Sequence, residues 1–573
     1  MILSASGWRG IFAKGGEEDG SSAISAASAA ISSCAARVFA RFLRRKTGTA
    51  EPVVIVGRDT RPTGACIEQA VLEALAEENC TVHRTHYAAA PETMAYARSL
   101  GDQGAAGGFL YISASHNPIG HNGLKFGLFD GGVLNADDAA ALIAEFRREV
   151  EQGVPSAAAA HSPQIDVKSR CRAAYQAFIG SLIAGDGIGA AEMAAALKTA
   201  LQKRPLGVVC DFNGSARAAS IDSDFFPALG IEFAAINSTP GTIVHRIVPE
   251  GESLKPCCRL LEEYHQKNNA FMLGYVPDCD GDRGNLVVWD DALNAARPLE
   301  AQEVFALVCF SELCHLAWTG RTEKIAVAVN DATSMRVDRI AAAFGARVFR
   351  AEVGEANVVS LARRLRSEGW TVRILGEGAA GGTITHPSAV RDPLGTVMSV
   401  IKLLTLDGFC SAARPFHLPP LPESRPLPLA SVIEALPPFI TTGAYTPEAL
   451  LKIKTTDHGK LKAAYQQVFL AHWEKTKQEL AAYGIAIWHA FCYNGMDEYA
   501  CDDDFGRAGK GGLKINLYGT EGSARAALWM RGSATEPVFR VMADVEGTGK
   551  AFERYLITWQ RQMVLEADAA SAN

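Results

Sequence analysis

Residues 107–127 read GGFLYISASHNPIGHNGLKFG. An apolar run with strand character ends in a loop that cannot be helical. Pro118 lacks an amide proton and disfavours helical geometry at Asn117, and Gly120 and Gly123 punctuate the residues after it, so 118–125 reads as a Gly-rich turn ending in a lysine. Ser115, His116 and Lys125 are thereby held on a shaped loop at the end of a strand.

Outward from this strand the chain alternates. EPVVIVGRDTRPTG is a short β run and a turn, CIEQAVLEALAEENC places Ile67, Val71, Leu72 and Leu75 on one helical side, and TVHRTHYA is the next strand. Residues 151–165 lose periodicity and read as a linker. The pattern returns with RPLGVVCDFNG, IEFAAIN and the strand–acidic loop–strand of NAFMLGYVPDCDGDRGNLVVWD. A third block from 296 to 412 carries the short strands KIAVAVN, ARVFRAEV and WTVRILGEG. Such alternation predicts mainly parallel sheets covered by helices.

Six prolines between 415 and 428 mark an extended linker. Residues 459–483 form a helix with Leu461, Tyr465, Val468, Phe469 and Leu480 on one face and Gly484 as its stop. A Gly- and Asp-rich stretch comes next, then strands ARAALWM and VFRVMADV and a terminal helix. The expected fold is α/β: three αβ domains at 1–165, 166–295 and 296–412, and a linker with an α+β domain at 413–573.

A chain of 573 residues exceeds one core, and its formal charge of −7 argues against general nucleic-acid binding. The N-terminus has no basic region followed by an apolar core, and the most apolar window, 304–318, is interrupted by Glu312. Thirteen scattered cysteines form no CxxC pair, as expected of reduced thiols. These features predict a cytoplasmic protein, monomeric or dimeric, that binds neither membrane nor nucleic acid.

Four loops could carry chemistry. Ser115 beside His116 is no hydrolase dyad, because sequence neighbours on extended backbone point apart and no GxSxG surrounds them. PDCDGDRG sets Asp278, Asp280 and Asp282 at alternate positions, where convergent like charges call for a cation, and oxygen ligands suit Mg²⁺ or Ca²⁺. An EF-hand is excluded by Arg283 and Trp289 at its sixth and twelfth places. A solvated acidic turn is the alternative; Arg283 beside the acids suggests an anion. RGSATEPVFR offers Arg531, Ser533, Thr535 and Arg540 as a phosphate cradle, or a surface ion-pair cluster. LGEGAAGGT sets Glu377 at a strand end among glycines, where a carboxylate can accept bonds from sugar hydroxyls; an unliganded turn is equally consistent. Together they describe an enzyme that moves a phosphoryl group on a phosphorylated polyol.

In order along the chain, SGWRG, SASHNPIGHNGLK, DCDGDR, GEGAAGG and RGSATEP resemble the motifs of the α-D-phosphohexomutase superfamily, the phosphoglucomutase/phosphomannomutase family. The resemblance implies four domains around a central cleft. It implies a phosphoserine at 115, Mg²⁺ held by Ser115, Asp278, Asp280 and Asp282, and interconversion of hexose 1- and 6-phosphates through a hexose 1,6-bisphosphate that is intermediate and activator. Glucose is the sugar expected first, mannose second. Arg9, His116 and Lys125 would stabilise charge or shuttle protons. Arg283 would position the phosphoryl group, Glu377 would bind sugar hydroxyls, and Arg531, Ser533, Thr535 and Arg540 would hold the other phosphate.

The chain departs from the family where Ala379 and Gly381 replace the sugar loop's usual Ser and His, and where Ala534 replaces a Gly. Phosphoglucosamine mutase and a sugar-phosphate phosphatase remain alternative activities.

Overall fold

The computed structural model describes residues 1–153, 164–412, 416–532 and 538–571. The chain divides into two compact units. One comprises Met1–Leu299, Gly382–Ala413 and Leu418–Ser431; the other comprises Glu300–Gly381, Arg414–His417 and Val432–Asn573.

In the first unit a seven-stranded sheet has the spatial order Ile2–Ser4, Gly7–Ile11, His121–Leu128, Gly107–Ile112, Val53–Arg58, Thr81–Tyr87, Gln164–Asp166. Val53–Arg58 runs parallel to both neighbours, and Thr81–Tyr87 runs parallel to Gln164–Asp166. Val54, Ile55 and Val56 are fully buried, as the interior of a parallel sheet requires. The helix Ala26–Thr47 is apolar and long enough to cross a membrane by composition alone, yet 61% of its most apolar window is buried inside the fold. Ser25 caps its start by accepting from the Ser28 amide, Gly48 ends it at φ 73°, and Arg44, Arg45 and Lys46 oppose the dipole at its last turn.

The turn expected at 118–125 is corrected. Residues 121–128 form a strand antiparallel to Gly107–Ile112, with Lys125 opposite Tyr111. Gly123 is required by close approach: a Cβ there would lie 2.2 Å from the Trp8 carbonyl oxygen. The glycine therefore marks packing against Gly7–Ile11 across the sheet.

The unit's second sheet has the order Ala295–Pro298, Gly284–Asp290, Phe271–Pro277, Gly207–Asp211, Glu232–Ile236, the last three mutually parallel and the others antiparallel. A buried polar network anchors the helix Pro393–Thr405 to it. The Arg217 guanidinium bonds Asp222 at 2.8 and 2.9 Å and Asp392 at 3.2 Å, while Tyr175 donates to Asp392 and Tyr275 to Asp222. Each charge is tolerated because its partners replace the lost water.

The second unit contains parallel strands Arg347–Ala351, Ala326–Asn330 and Ile374–Glu377. It also holds an antiparallel sheet in the order Phe439–Thr441, Phe539–Glu546, Ala524–Gly532, Gly512–Tyr518, Ile487–Asn494, Asp497–Ala500. The last three strands occupy the stretch read as Gly- and Asp-rich. Exposed and polar positions hid Ile487–Asn494 and Asp497–Ala500 from a hydrophobic-period reading, whereas Gly512–Tyr518 is mostly buried and its Leu513, Ile515 and Leu517 alternate with Lys514 and Asn516, a strand pattern present in the sequence. The predicted helix spans His458–Ala482, capped by Asp457, with Leu461, Tyr465, Phe469 and Leu480 fully buried. Gly484 comes after it at φ 77°. Residues 418–428 have no regular structure, and the 151–165 linker falls largely outside the described residues.

Candidate active site

Ser115 lies three residues beyond its strand at φ 54°, a left-handed conformation rare for a non-glycine residue and a form of local strain that clusters at functional sites. The loop is fixed from below. Its amide donates to Ser113 Oγ at 2.7 Å, and Ser113 Oγ donates to Asp280 at 3.0 Å. Ser115 Oγ itself donates to Asp278 Oδ2 at 2.8 Å. His116, next on the loop, is 8% exposed.

The acidic loop is a turn and not the extended segment that alternate spacing suggested; Gly281 at φ 67° bends it. The Arg283 amide donates back to Asp278 Oδ1 at 3.1 Å and closes the loop on itself. The three aspartates are nonetheless brought together, with one carboxylate oxygen from each within 4.8 Å of the others, all buried. Lys125 Nζ spans Asp280 at 2.6 Å and Asp282 at 2.8 Å, and Arg391 Nη2 reaches Asp282 at 3.0 Å. Arg9, 5% exposed, adds a further guanidinium whose charge acts on Asp280 and Asp282.

The acids are electrostatically unequal. Burial, then repulsion from Asp280 and Asp282, lifts Asp278 well above the usual carboxylate range. Burial also opposes ionisation of Asp282, but Arg391, then Lys125 and Arg283, outweigh it and hold that carboxyl far below its ordinary value. Burial and then Arg283 lower Arg9. Asp280 Oδ1 and Asp282 Oδ1 are buried without a hydrogen-bond partner among the described residues. Oxygen-only donors, convergence and two orphaned carboxylate oxygens fit a hard divalent cation such as Mg²⁺.

Three residues at this site escaped the sequence reading: Ser113, Arg391 and Arg61. Arg61 is completely buried and donates to the carbonyl oxygens of Ser115 and Asn117 at 2.6 Å each and of His121 at 3.1 Å, while pairing with Asp59 at 3.2 Å. One guanidinium thus gathers the serine loop. Its signal was the GRDTRPTG turn, at the end of a strand adjacent and parallel to the serine strand.

The remaining predicted residues lie in the second unit. Glu377, 4% exposed, accepts from the Gly354 amide at 2.8 Å and from Asn330 Nδ2 at 3.3 Å. Arg531 donates through Nε at 3.0 Å and Nη2 at 2.7 Å to one oxygen of Glu352. Arg540 lies over the Tyr445 ring at 4.9 Å and donates to the Ala444 carbonyl. Ser533 and Thr535 lie outside the described residues.

Residues 2–153 match the family model described as phosphoglucomutase/phosphomannomutase, alpha/beta/alpha domain I. The whole chain has the fold of solved phosphohexomutases. A phosphoglucomutase/phosphomannomutase family protein from Burkholderia thailandensis aligns with a TM-score of 0.64 at 19% identity, over 100% of this chain and 98% of that one. The phosphoglucomutase parafusin from Paramecium aligns with a TM-score of 0.64 at 14% identity, over 98% and 97%. Among curated relatives, a phosphoglucosamine mutase from Clostridium perfringens is 30% identical over 262 residues, 42% of this chain. One from Frankia casuarinae is 44% identical over 92 residues, 16% of this chain. These matches span 50% and 19% of the relatives' own lengths. The matched residues contain Arg9, Ser115, His116 and Lys125 of the candidate site, and the three aspartates come from beyond them.

Proposed function

We propose that the protein is a Mg²⁺-dependent phosphohexomutase that interconverts hexose 1-phosphate and hexose 6-phosphate through phosphoserine 115. The observation that carries this reading is Ser115 Oγ hydrogen-bonded at 2.8 Å to one member of a buried, convergent aspartate trio. Asp278, Asp280 and Asp282, with Ser115, would hold the metal, which supplies charge neutralisation at the phosphoryl oxygens.

In the forward half-reaction a substrate hydroxyl oxygen forms a bond to the phosphorus carried on Ser115. The bond from phosphorus to Oγ breaks, and the hydroxyl proton leaves to a base. Among Arg9, His116 and Lys125, His116 is the natural acceptor, since an imidazole is readily neutral and the other two are cations. Lys125, bonded to two carboxylates, is positioned to stabilise the transferring group. The hexose 1,6-bisphosphate then returns its other phosphoryl group to Ser115, so the enzyme ends as it began. Arg283 orients the phosphoryl group, Glu377 binds sugar hydroxyls, and Arg531, Ser533, Thr535 and Arg540 anchor the phosphate that is not reacting. On this reading the chain forms four domains at about 1–165, 166–295, 296–412 and 413–573, with Gln164–Asp166 pairing into the first sheet and Ala295–Pro298 into the second across the first two of those bounds.

Glucose phosphates are the first substrates to try, with mannose phosphates next. A second reading, glucosamine phosphate, is favoured by the names of the relatives above. The test is a phosphorus NMR time course on the full chain with Mg²⁺, a trace of glucose 1,6-bisphosphate and the 1-phosphates of glucose, mannose and glucosamine separately. A growing 6-phosphate resonance supports the mutase and ranks the sugars. Release of inorganic phosphate alone would replace it with a phosphatase.

A further inference from the structure

We infer that Glu352 is a built-in competitor for the phosphate site on Arg531, and so sets how strongly the protein discriminates dianionic from less charged ligands. The inference rests on the reading of Arg531 as a phosphate anchor. In the structure that guanidinium is already engaged. Its Nε and Nη2 both donate to Glu352 Oε1, at 3.0 and 2.7 Å, which is how an arginine fork meets an anionic oxygen.

The carboxylate is held in place from its other side. Glu352 Oε2 accepts from the Gly495 amide at 2.9 Å, and the Glu352 amide donates to the Gly495 carbonyl at 2.9 Å. Both side chains of the pair are mostly buried, at 12% and 16% exposed, so water screens them weakly. Around Arg531 the field is mixed: besides Glu352, the Asp331 carboxylate faces the cations Arg531 and Lys462. Lys462, buried and donating to the Gly509 carbonyl at 2.9 Å, is pushed down to about 8 by burial and then by Arg531, and the His458 ring packs against Gly532 next to Arg531. Without Glu352 the two cations outnumber Asp331, and Glu352 occupies the position on Arg531 that an incoming anion would take.

An incoming phosphate therefore has to displace a carboxylate. A phosphate dianion offers more charge and more acceptor oxygens than Glu352 and can do so; a singly charged or neutral ligand gains too little. The same competition expels the phosphate after reaction, because the carboxylate stays tethered to Gly495 and returns.

The test is calorimetric titration of the full-length protein and its Glu352→Gln variant with glucose 6-phosphate and with inorganic phosphate. Glu352→Ala serves as a second variant, and thermal melts identify any that has not folded. The inference predicts that Glu352→Gln and Glu352→Ala bind both probes about fivefold more tightly, the scale of releasing one ion pair. Unchanged affinity, or weaker binding showing that Glu352 merely positions Arg531, would overturn it. Arg531→Ala is titrated alongside. If its binding is as strong as wild type, Arg531 is not the anchor and the underlying reading fails. If it is weaker while the Glu352 variants are unchanged, only the competition fails.

Discussion

Ser115 and Asp278, 163 residues apart in sequence, meet across a 2.8 Å hydrogen bond in which the hydroxyl donates to the carboxylate. The bond unites a loop at the end of a strand in one sheet with a turn at the end of a strand in another, in a place closed to solvent. Removing the hydroxyl removes the proposed phosphoryl carrier. Ser115→Ala is expected to lose mutase turnover to the limit of detection while folding normally, because only one oxygen is deleted. Intact-mass spectrometry after incubation with glucose 1,6-bisphosphate checks the mechanism directly: a phosphate increment on wild type and none on the variant. Normal turnover by Ser115→Ala would refute the phosphoserine.

The orphaned oxygens of Asp280 and Asp282 predict metal-linked stability. Mg²⁺ at about a hundred times its dissociation constant should stabilise the protein by about 2.7 kcal/mol, through binding to the native state alone. Thermal melts with and without Mg²⁺ measure this. Asp280→Asn should abolish most of the shift, since it replaces a charged donor, and an equal shift in that variant would place the ion elsewhere.

Arg61 offers a structural prediction that sequence reading did not supply. Arg61→Leu leaves Asp59 buried without its cation and the carbonyls of Ser115, Asn117, Pro118 and His121 without this donor. Breaking such a buried pair costs about 3–5 kcal/mol. Urea denaturation should show that loss, and turnover should fall even where the variant remains folded, because the Ser115 loop is no longer gathered.

Asp331 predicts a pH dependence. It accepts from Trp529 Nε1 at 2.7 Å and from the Val353 amide at 3.0 Å, and burial lifts its carboxyl to about 6. Below the ordinary value of 3.8 both folded and unfolded states hold the proton. Between there and about 6 only the folded state does, and above that the fold must carry a buried charge at a cost of about 3 kcal/mol. This group therefore favours the fold at low pH and loses that contribution as pH rises. Asp331→Asn removes the titration, so its stability relative to wild type should be more favourable at pH 7.5 than at pH 4.5. A difference independent of pH would show that the carboxyl titrates normally.

Much of this was legible in the chain because local rules act locally. Alternating apolar runs marked the parallel strands, Gly484 marked the end of the 458–482 helix, and DCDGDR announced three carboxylates through spacing alone. The features that stayed hidden depended on partners distant in sequence. Gly123 looked like a turn residue until the Trp8 carbonyl was seen against it, and the strands Ile487–Asn494 and Asp497–Ala500 have too few buried positions to announce themselves. Tertiary structure also decided the state of each charge. Asp278 and Asp282 are the same residue four positions apart, yet one is driven toward its neutral form and the other held ionised. Only folding places Arg391 and Lys125 on Asp282 and leaves Asp278 facing a serine hydroxyl. Composition and spacing fix which groups a chain owns; the low dielectric of a packed interior, and the neighbours it brings within 3 Å or so, determine what those groups can do.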